Sequence, residues 1–218
     1  MGGSSASRDE LWYRRTAQTA RLLAREKFFV MTGGGPGMME AGNLGAYLAD
    51  YEESALDEAI DILQKAPTYE RNHKPDPQYV ATALAVRDRF RTGRRNLGVP
   101  TWFYGFEPTN MFATDVAKYF ANSRREAGIL QITKGGAVFA PAPGSAGTRQ
   151  EIFMGAAQNH YGTTGVYSPM VFLGRKQYEQ DAPVYQLLQT VANQKYKHLL
   201  SISDDPADLV SFIKSHRP

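Results

Sequence analysis

The sequence predicts an α/β fold: a doubly wound parallel sheet with helices on both faces. Three observations lead there. Apolar runs of strand length alternate with stretches of helical spacing along most of the chain, the pattern of consecutive βαβ units joined by right-handed crossovers. Two glycine-rich turns, at residues 32–37 and 143–148, each stand between an apolar run and a helical stretch. The 218 residues are 42% hydrophobic and 22% charged. That is enough apolar mass for one large core, so the chain reads as a single domain over residues 1–218.

Residues 8–26 carry Leu11, Arg15, Thr19 and Leu22 at helical spacing, with Ser7 and Glu10 as a capping box. Residues 28–31 are an apolar strand that stops at the first glycine turn, and residues 38–50 are again helical. Residues 51–94 are too long for a tight connection and read as a helical insertion. It holds two extra helices around Lys65, Ala66 and Pro67, with a loop at 72–77. Strands are expected at 96–104, 136–140, 170–173 and 199–202, separated by helices at 110–127, 148–160 and 177–195. A last helix over 206–215 takes Ser203 or Asp204 as its cap. Gly2, Gly3, Ser4 and Ser5 resemble the turn that follows a strand, yet only Met1 stands ahead of them. In a doubly wound sheet the first strand is central. Without it, two interior strands are expected to keep unpaired backbone groups.

The chain has no Cys, which removes disulfides, thiolate metal sites and a cysteine nucleophile together and fits a reducing compartment. No stretch approaches the ~18 apolar residues a spanning helix needs, and the N-terminal residues lack the apolar core of a signal peptide. A cytoplasmic protein without membrane contact is expected. The net charge is +3, from 25 Lys and Arg against 22 Asp and Glu, which names no nucleic-acid partner. An acidic group (Glu52, Glu53, Asp57, Glu58, Asp61) precedes a basic one (Arg87, Arg89, Arg91, Arg94, Arg95). Both are read as solvated helix faces in preference to a polyanion site. His73, His160, His198 and His216 show no metal-ligand spacing, so no metal and no cofactor are expected.

The chemistry is expected at the two turns. Gly33, Gly34, Gly35 and Gly37 offer backbone N–H groups unobstructed by side chains just before a helix N-terminus, an arrangement that holds anions, phosphate above all. It is not a dinucleotide fingerprint, because the third glycine counted from Gly33 falls on Met38, and no GxxxxGK[ST] occurs. The second turn, with Gly144, Ser145, Gly147 and Thr148, has the same form after the strand at 136–140. Two such turns at the carboxyl ends of parallel strands face one crevice. Glu151 has two readings: a catalytic carboxylate, or the acidic partner of Thr148 in a capping box.

Together, TGGGPGMMEAGNLGA (32–46) and PGSAGTRQE (143–151) resemble the GGG and PGGxGTxxE motifs of the LONELY GUY (LOG) family, Rossmann-like proteins once described as lysine decarboxylases. Around Phe106, Glu107, Pro108, Thr109 and Asn110, and around Arg124, Arg125 and Glu126, the chain is also similar to bacterial pyrimidine/purine nucleotide nucleosidases. The resemblance runs from Gly2 to about Lys214, interrupted by the insertion. It implies cleavage of nucleoside 5'-monophosphates to free base and ribose 5-phosphate by a homodimer. Glu151 and Arg125 fall on the catalytic positions, Glu107 on a substrate contact, and Gly144, Gly147 and Thr148 on the phosphate turn. The chain departs from the family at Ser145, where a second glycine is usual, at the lengthened 140–143 junction, at Glu126 in place of a lysine, and at Ala157 in place of a threonine.

Such a hydrolysis passes through an oxocarbenium-like state, so it needs a carboxylate near the anomeric carbon and a cation to hold phosphate or ribose. The residues leave a second function open, a non-catalytic nucleotide-binding or carrier protein of the same fold. Among the remaining candidates, only one of Arg124 and Arg125 is expected to enter the site, since adjacent helix residues point about 100° apart. Glu40 is expected to serve the helix dipole. His160 is expected in the core or an interface, with a place at the pocket edge as the other option, and Trp102, Phe103 and Tyr104 are expected in a buried strand.

Overall fold

The computed structural model describes residues 1–71, 74–101, 108–143 and 145–218, with Arg71 described through its backbone alone. The fold is α/β. Helix α1 (Leu11–Arg25) packs along α2 (Met38–Tyr47), and between them runs β1 (Met31–Thr32). The expected capping box is only half formed, since the Ser7 amide donates to Glu10 Oε1 at 2.9 Å while its hydroxyl turns to Asp9 and the helix opens after Glu10. Every residue of α2 is buried, as suits a helix whose small and apolar residues leave no polar stripe.

The insertion holds the two expected helices, α3 (Ser54–Leu63) and α4 (Pro77–Arg89). Part of the expected 72–77 loop is instead a short antiparallel hairpin, β2 (Glu70–Arg71) with β3 (Lys74–Pro75), and Asp76 caps α4 by accepting from the Gln78 amide. Leu56, Ile60, Leu63 and Val86 of the insertion share a core with Leu44, Tyr47 and Leu48. Arg8 locks the insertion to α2. Its fully buried guanidinium makes a two-pronged ion pair with Glu40, donates to the carbonyls of Ala66 and Tyr79 and to the Thr82 hydroxyl, and lies 3.3 Å from the Tyr79 ring centroid.

Strand β4 (Leu97–Gly98) joins β1 in parallel, and β5 (Asp115–Val116) extends the same sheet in the order β1-β4-β5. The helix expected over 110–127 therefore gives way to β5, with α5 (Asn122–Ile132) following it. The expected strand 96–104 extends past β4 only as a bridge between Thr101 and Tyr119, and residues 102–104 lie outside the described residues, as does His73.

A second parallel sheet, in the order β6-β7-β8, is formed by β6 (Ala137–Phe139), β7 (Met170–Leu173) and β8 (Leu200–Ser203). Helix α6 (Ala146–Tyr161) covers one face through Ile152 and Ala156, and α8 (Pro206–Ser215) with α1 covers the other through Leu209, Ile213 and Leu23. The helix expected over 177–195 is broken into a π-helical turn (Lys176–Asp181) and α7 (Val184–Val191). Pro183 explains the break, since the residue before a proline is driven out of the helical region and Ala182 sits at φ −142°. Asp205, one position beyond the expected caps, accepts from the Ala207 amide to cap α8.

Apart from the β2–β3 hairpin, the described strands thus form two parallel three-stranded sheets rather than one. Met1 lies beside the second: its nitrogen donates to the Val138 carbonyl at 2.8 Å and its carbonyl accepts from the Ala140 amide at 2.8 Å. Among the described residues, no helix is long and apolar enough to cross a membrane.

Candidate active site

The first glycine turn is fixed by a buried polar network. Thr32 Oγ1 donates to Asn43 Oδ1 at 2.6 Å and accepts from the Gly34 amide at 3.0 Å. Asn43 Nδ2 donates to Asn96 Oδ1 at 2.7 Å, and Asn110 Nδ2 donates both to Asn43 Oδ1 at 2.9 Å and to the Gly35 carbonyl at 3.0 Å. Gly37 is required where it stands: its φ is +66°, and a Cβ there would lie 2.6 Å from the carbonyl oxygens of Gly3 and Ser4. The Met38 amide donates to Gly3 O at 3.0 Å, so part of the expected anion-binding capacity of this helix end is already used by the chain itself.

The second turn is capped from within. Ser145 Oγ accepts from the Thr148 amide at 3.2 Å and shares a hydrogen bond of 3.0 Å with the Thr148 hydroxyl. Ser145 is therefore the N-cap of α6, and the reading of Thr148 and Glu151 as a capping box is overturned. Glu151 falls in the second turn of the helix and is 5% exposed. Gly144, like Glu107, lies outside the described residues.

Arg125 reaches the first turn and the buried Glu126, which lies beside the second. From α5 its Nη1 reaches the Gly33 carbonyl in a long hydrogen bond of 3.5 Å, and its Nη2 meets Glu126 Oε1 at 3.1 Å. Arg124 is exposed while Arg125 is half-buried, as their different directions on the helix dictate. Glu126 is fully buried and accepts from Asn122 Nδ2 at 2.9 Å. It presses so closely on α6 that a Cβ at Gly147 would lie 2.7 Å from its Oε1. Arg125 Nε, Glu126 Oε2 and Asn122 Oδ1 are buried without a hydrogen-bond partner among the described residues.

The electrostatics of Glu151 follow from this packing. Burial pushes its carboxyl above the ordinary carboxylate range, Glu126 adds to the shift, and the Met1 ammonium and Arg125 oppose it. Such a carboxylate can take up or release a proton nearer neutral pH than a solvated one. A cavity of about 270 Å³, lined by Gly3, Ser5, Met38, Pro141, Pro143 and Lys176 among others, opens beside the chain leaving β6. A larger one of about 460 Å³ lies away from this chemistry, between the two sheets.

Asn122 has no role in the reading of the sequence and Glu126 enters it only as a departure from the resembled family, although their spacing of four is the one at which helix side chains meet. Glu40 is engaged by Arg8 and by the Tyr13 hydroxyl at 2.8 Å rather than serving the helix dipole alone. His160 is exposed at the end of α6 beside Asn193 and belongs to no core. Ala157 is exposed on the same helix. Arg89, Arg94 and Arg95 pair with Glu58, Asp50 and Asp115. Among the described residues, no group of three or more His, Cys, Asp or Glu is placed to hold a metal ion. No protein-family model matches this chain, and no curated protein matches it.

Proposed function

We propose that this protein is a LOG-like phosphoribohydrolase on a Rossmann-like scaffold, cleaving the N-glycosidic bond of nucleoside 5'-monophosphates to free base and ribose 5-phosphate. One observation carries the reading. Arg125 reaches the Gly33 carbonyl of the first turn and Glu126 beside the second, and three buried polar atoms here (Arg125 Nε, Glu126 Oε2 and Asn122 Oδ1) have hydrogen-bonding capacity left over among described residues whose buried side chains are otherwise satisfied almost throughout. Ribose hydroxyls and a phosphate are the partners such a mixed donor and acceptor set accepts. Glu151 in its ionised form stabilises positive charge at the anomeric carbon and orients the attacking water. Arg125 holds the sugar phosphate, and the phosphate supplies the binding energy that positions the scissile bond.

A second copy of the chain is part of the proposal, and the exposed apolar side chains Ile132, Phe153 and Tyr161 on α5 and α6 are what support it. A cytoplasmic location rests on the absence of Cys. The second reading, a nucleotide carrier without catalysis, is favoured by Ser145, whose hydroxyl is committed to Thr148, and by Glu126, which adds a second buried carboxylate beside the phosphate turn.

The deciding experiment incubates the protein with a panel of nucleoside 5'-monophosphates and measures ribose 5-phosphate and free base. Glu151→Gln is expected to lower release by on the order of 10²- to 10⁴-fold while nucleotide binding persists. Binding without release by the unaltered protein would leave the carrier reading in its place.

A further inference from the structure

The cavity of about 270 Å³ beside the chain leaving β6 borders both glycine turns. Met38, the first residue after the turn at 32–37, forms part of its wall, and so does Pro143, which opens the turn at 143–148. Pro141 and Lys176 bring the chain leaving β6 and β7 to it. It therefore lies outside the carboxyl ends of parallel strands, the place at which open α/β sheets bind ligands. Its volume falls below the ~300 Å³ at which sites for drug-sized ligands begin, so it suits a single flat ring system.

The walls divide into an apolar side and a polar one. Trp12 of α1 supplies the first. Its indole packs on the core around Val171 and Leu173, Arg15 covers it with a guanidinium carbon 5.0 Å from the ring centroid, and the side chain also lines the cavity. The polar side comes from the π-helical turn Lys176–Asp181, and single π turns are rare and frequent at functional sites. Lys176 Nζ donates to both Asp181 carboxylate oxygens, at 2.6 and 2.7 Å, so these two charges neutralise one another at the rim. Gln177 is half-buried and lines the cavity, and its side-chain amide has no hydrogen-bond partner among the described residues. Such an amide offers two donors and an acceptor in one plane. On the inner side of the same turn the Tyr178 hydroxyl donates to the Ala140 carbonyl at 2.6 Å, which ties the turn to the exit of β6. Burial, and after it the charge of Glu151, holds the Tyr178 phenol above its ordinary range, so the turn lies within electrostatic reach of the candidate catalytic carboxylate.

We propose that this cavity seats the heterocyclic base of the bound nucleotide, with the Trp12 indole as its apolar wall and the Gln177 amide reading the donors and acceptors on its edge. The inference rests on the nucleotide reading above and adds to it the residues that choose the base. An amide at the edge discriminates because a base with the wrong pattern leaves polar groups unpaired on both sides.

The test titrates the protein with the 5'-monophosphates of adenosine, guanosine, cytidine and uridine, reading tryptophan fluorescence immediately after mixing, and with ribose 5-phosphate by calorimetry. The unaltered protein is expected to rank the four nucleotides over a range of about tenfold or more. Gln177 belongs to no core cluster, and Gln177→Leu is expected to compress that range to within about threefold while the affinity for ribose 5-phosphate stays unchanged. Trp12→Phe, which keeps a ring in the core, is expected to remove the fluorescence change. A change that persists in this variant would come from Trp102, the other tryptophan, and would overturn the assignment of the wall. Equal affinities for the four nucleotides, or a ranking untouched by Gln177→Leu, would overturn the proposal; with ribose 5-phosphate still bound and base still released, the phosphoribohydrolase reading would stand. Failure of that reading shows differently, as a Gln177-dependent ranking without release. A protein that binds neither the nucleotides nor ribose 5-phosphate fails both.

Discussion

The two glycine turns look alike in the sequence and differ in what holds them. The turn before α2 is held from outside, by Asn43, Asn96, Asn110 and the Gly3 carbonyl, and it is buried throughout. The turn before α6 is held by its own Ser145 and Thr148, and beside it lie the buried carboxylates of Glu126 and Glu151. A turn fixed by distant residues is a rigid platform whose geometry depends on the whole core. A turn that caps itself can adjust locally to a ligand. Arg125 reaches from α5 to the Gly33 carbonyl and so links the two regions.

The largest effect that separates them is expected at Asn43. Asn43→Ala leaves the Thr32 hydroxyl proton and Asn96 Oδ1 without partners, at about 1 to 3 kcal/mol for each buried group left unpaired, while Asn110 Nδ2 keeps only the Gly35 carbonyl. Urea unfolding should show that loss. A change within about 0.5 kcal/mol would mean that the first turn is self-supporting after all.

The pH dependence of base release comes next. In the proposed hydrolysis Glu151 acts in its ionised form, so release is expected to fall on acidification through a midpoint above the 4.5 of an ordinary glutamate. Arg125 draws that midpoint down, so Arg125→Met should move it further up as well as weaken phosphate binding. A pH–rate profile with an unshifted midpoint in the variant would separate Arg125 from Glu151. For stability the sign is opposite. A carboxyl raised by folding favours the folded state while protonated, and that contribution is lost as the pH rises through the raised value.

The smallest effect is expected at Ser145. Ser145→Ala removes the cap of α6 at about 1 kcal/mol, and nucleotide affinity should stay within about threefold, one RT unit being about 0.6 kcal/mol. A large loss of affinity, measured by calorimetry, would give the hydroxyl a direct part in phosphate binding.

Features that depend on the local backbone could be read from the sequence. β7 and α8 fall where expected, because an unbroken apolar run and a helix opening with proline leave few alternatives. Both glycine turns were legible for the same reason, and Gly37 shows why: its conformation suits glycine alone. β5 was not legible, since Asp115–Val116 is two residues long and is a strand only because β4 lies beside it. The break at Ala182 could have been read from Pro183. Glu126 could not have been placed by composition, since a glutamate following two arginines on a helix ordinarily faces water. Its burial is created by α6 crossing at Gly147, a contact between residues far apart in the chain.

The Arg8 ion pair bears on how the insertion came to be part of this protein. The guanidinium before α1 is satisfied jointly by Glu40 in the buried helix α2 and by Ala66, Tyr79 and Thr82 in or beside the helices of residues 51–94. Excising residues 51–94 would leave a buried cation with two of its five acceptors, and losing Arg8 would leave Glu40 without a countercharge. In lines of descent, the insertion and the Arg8–Glu40 pair are therefore expected to appear and disappear together. A chimera without the insertion would need both residues replaced in the same step.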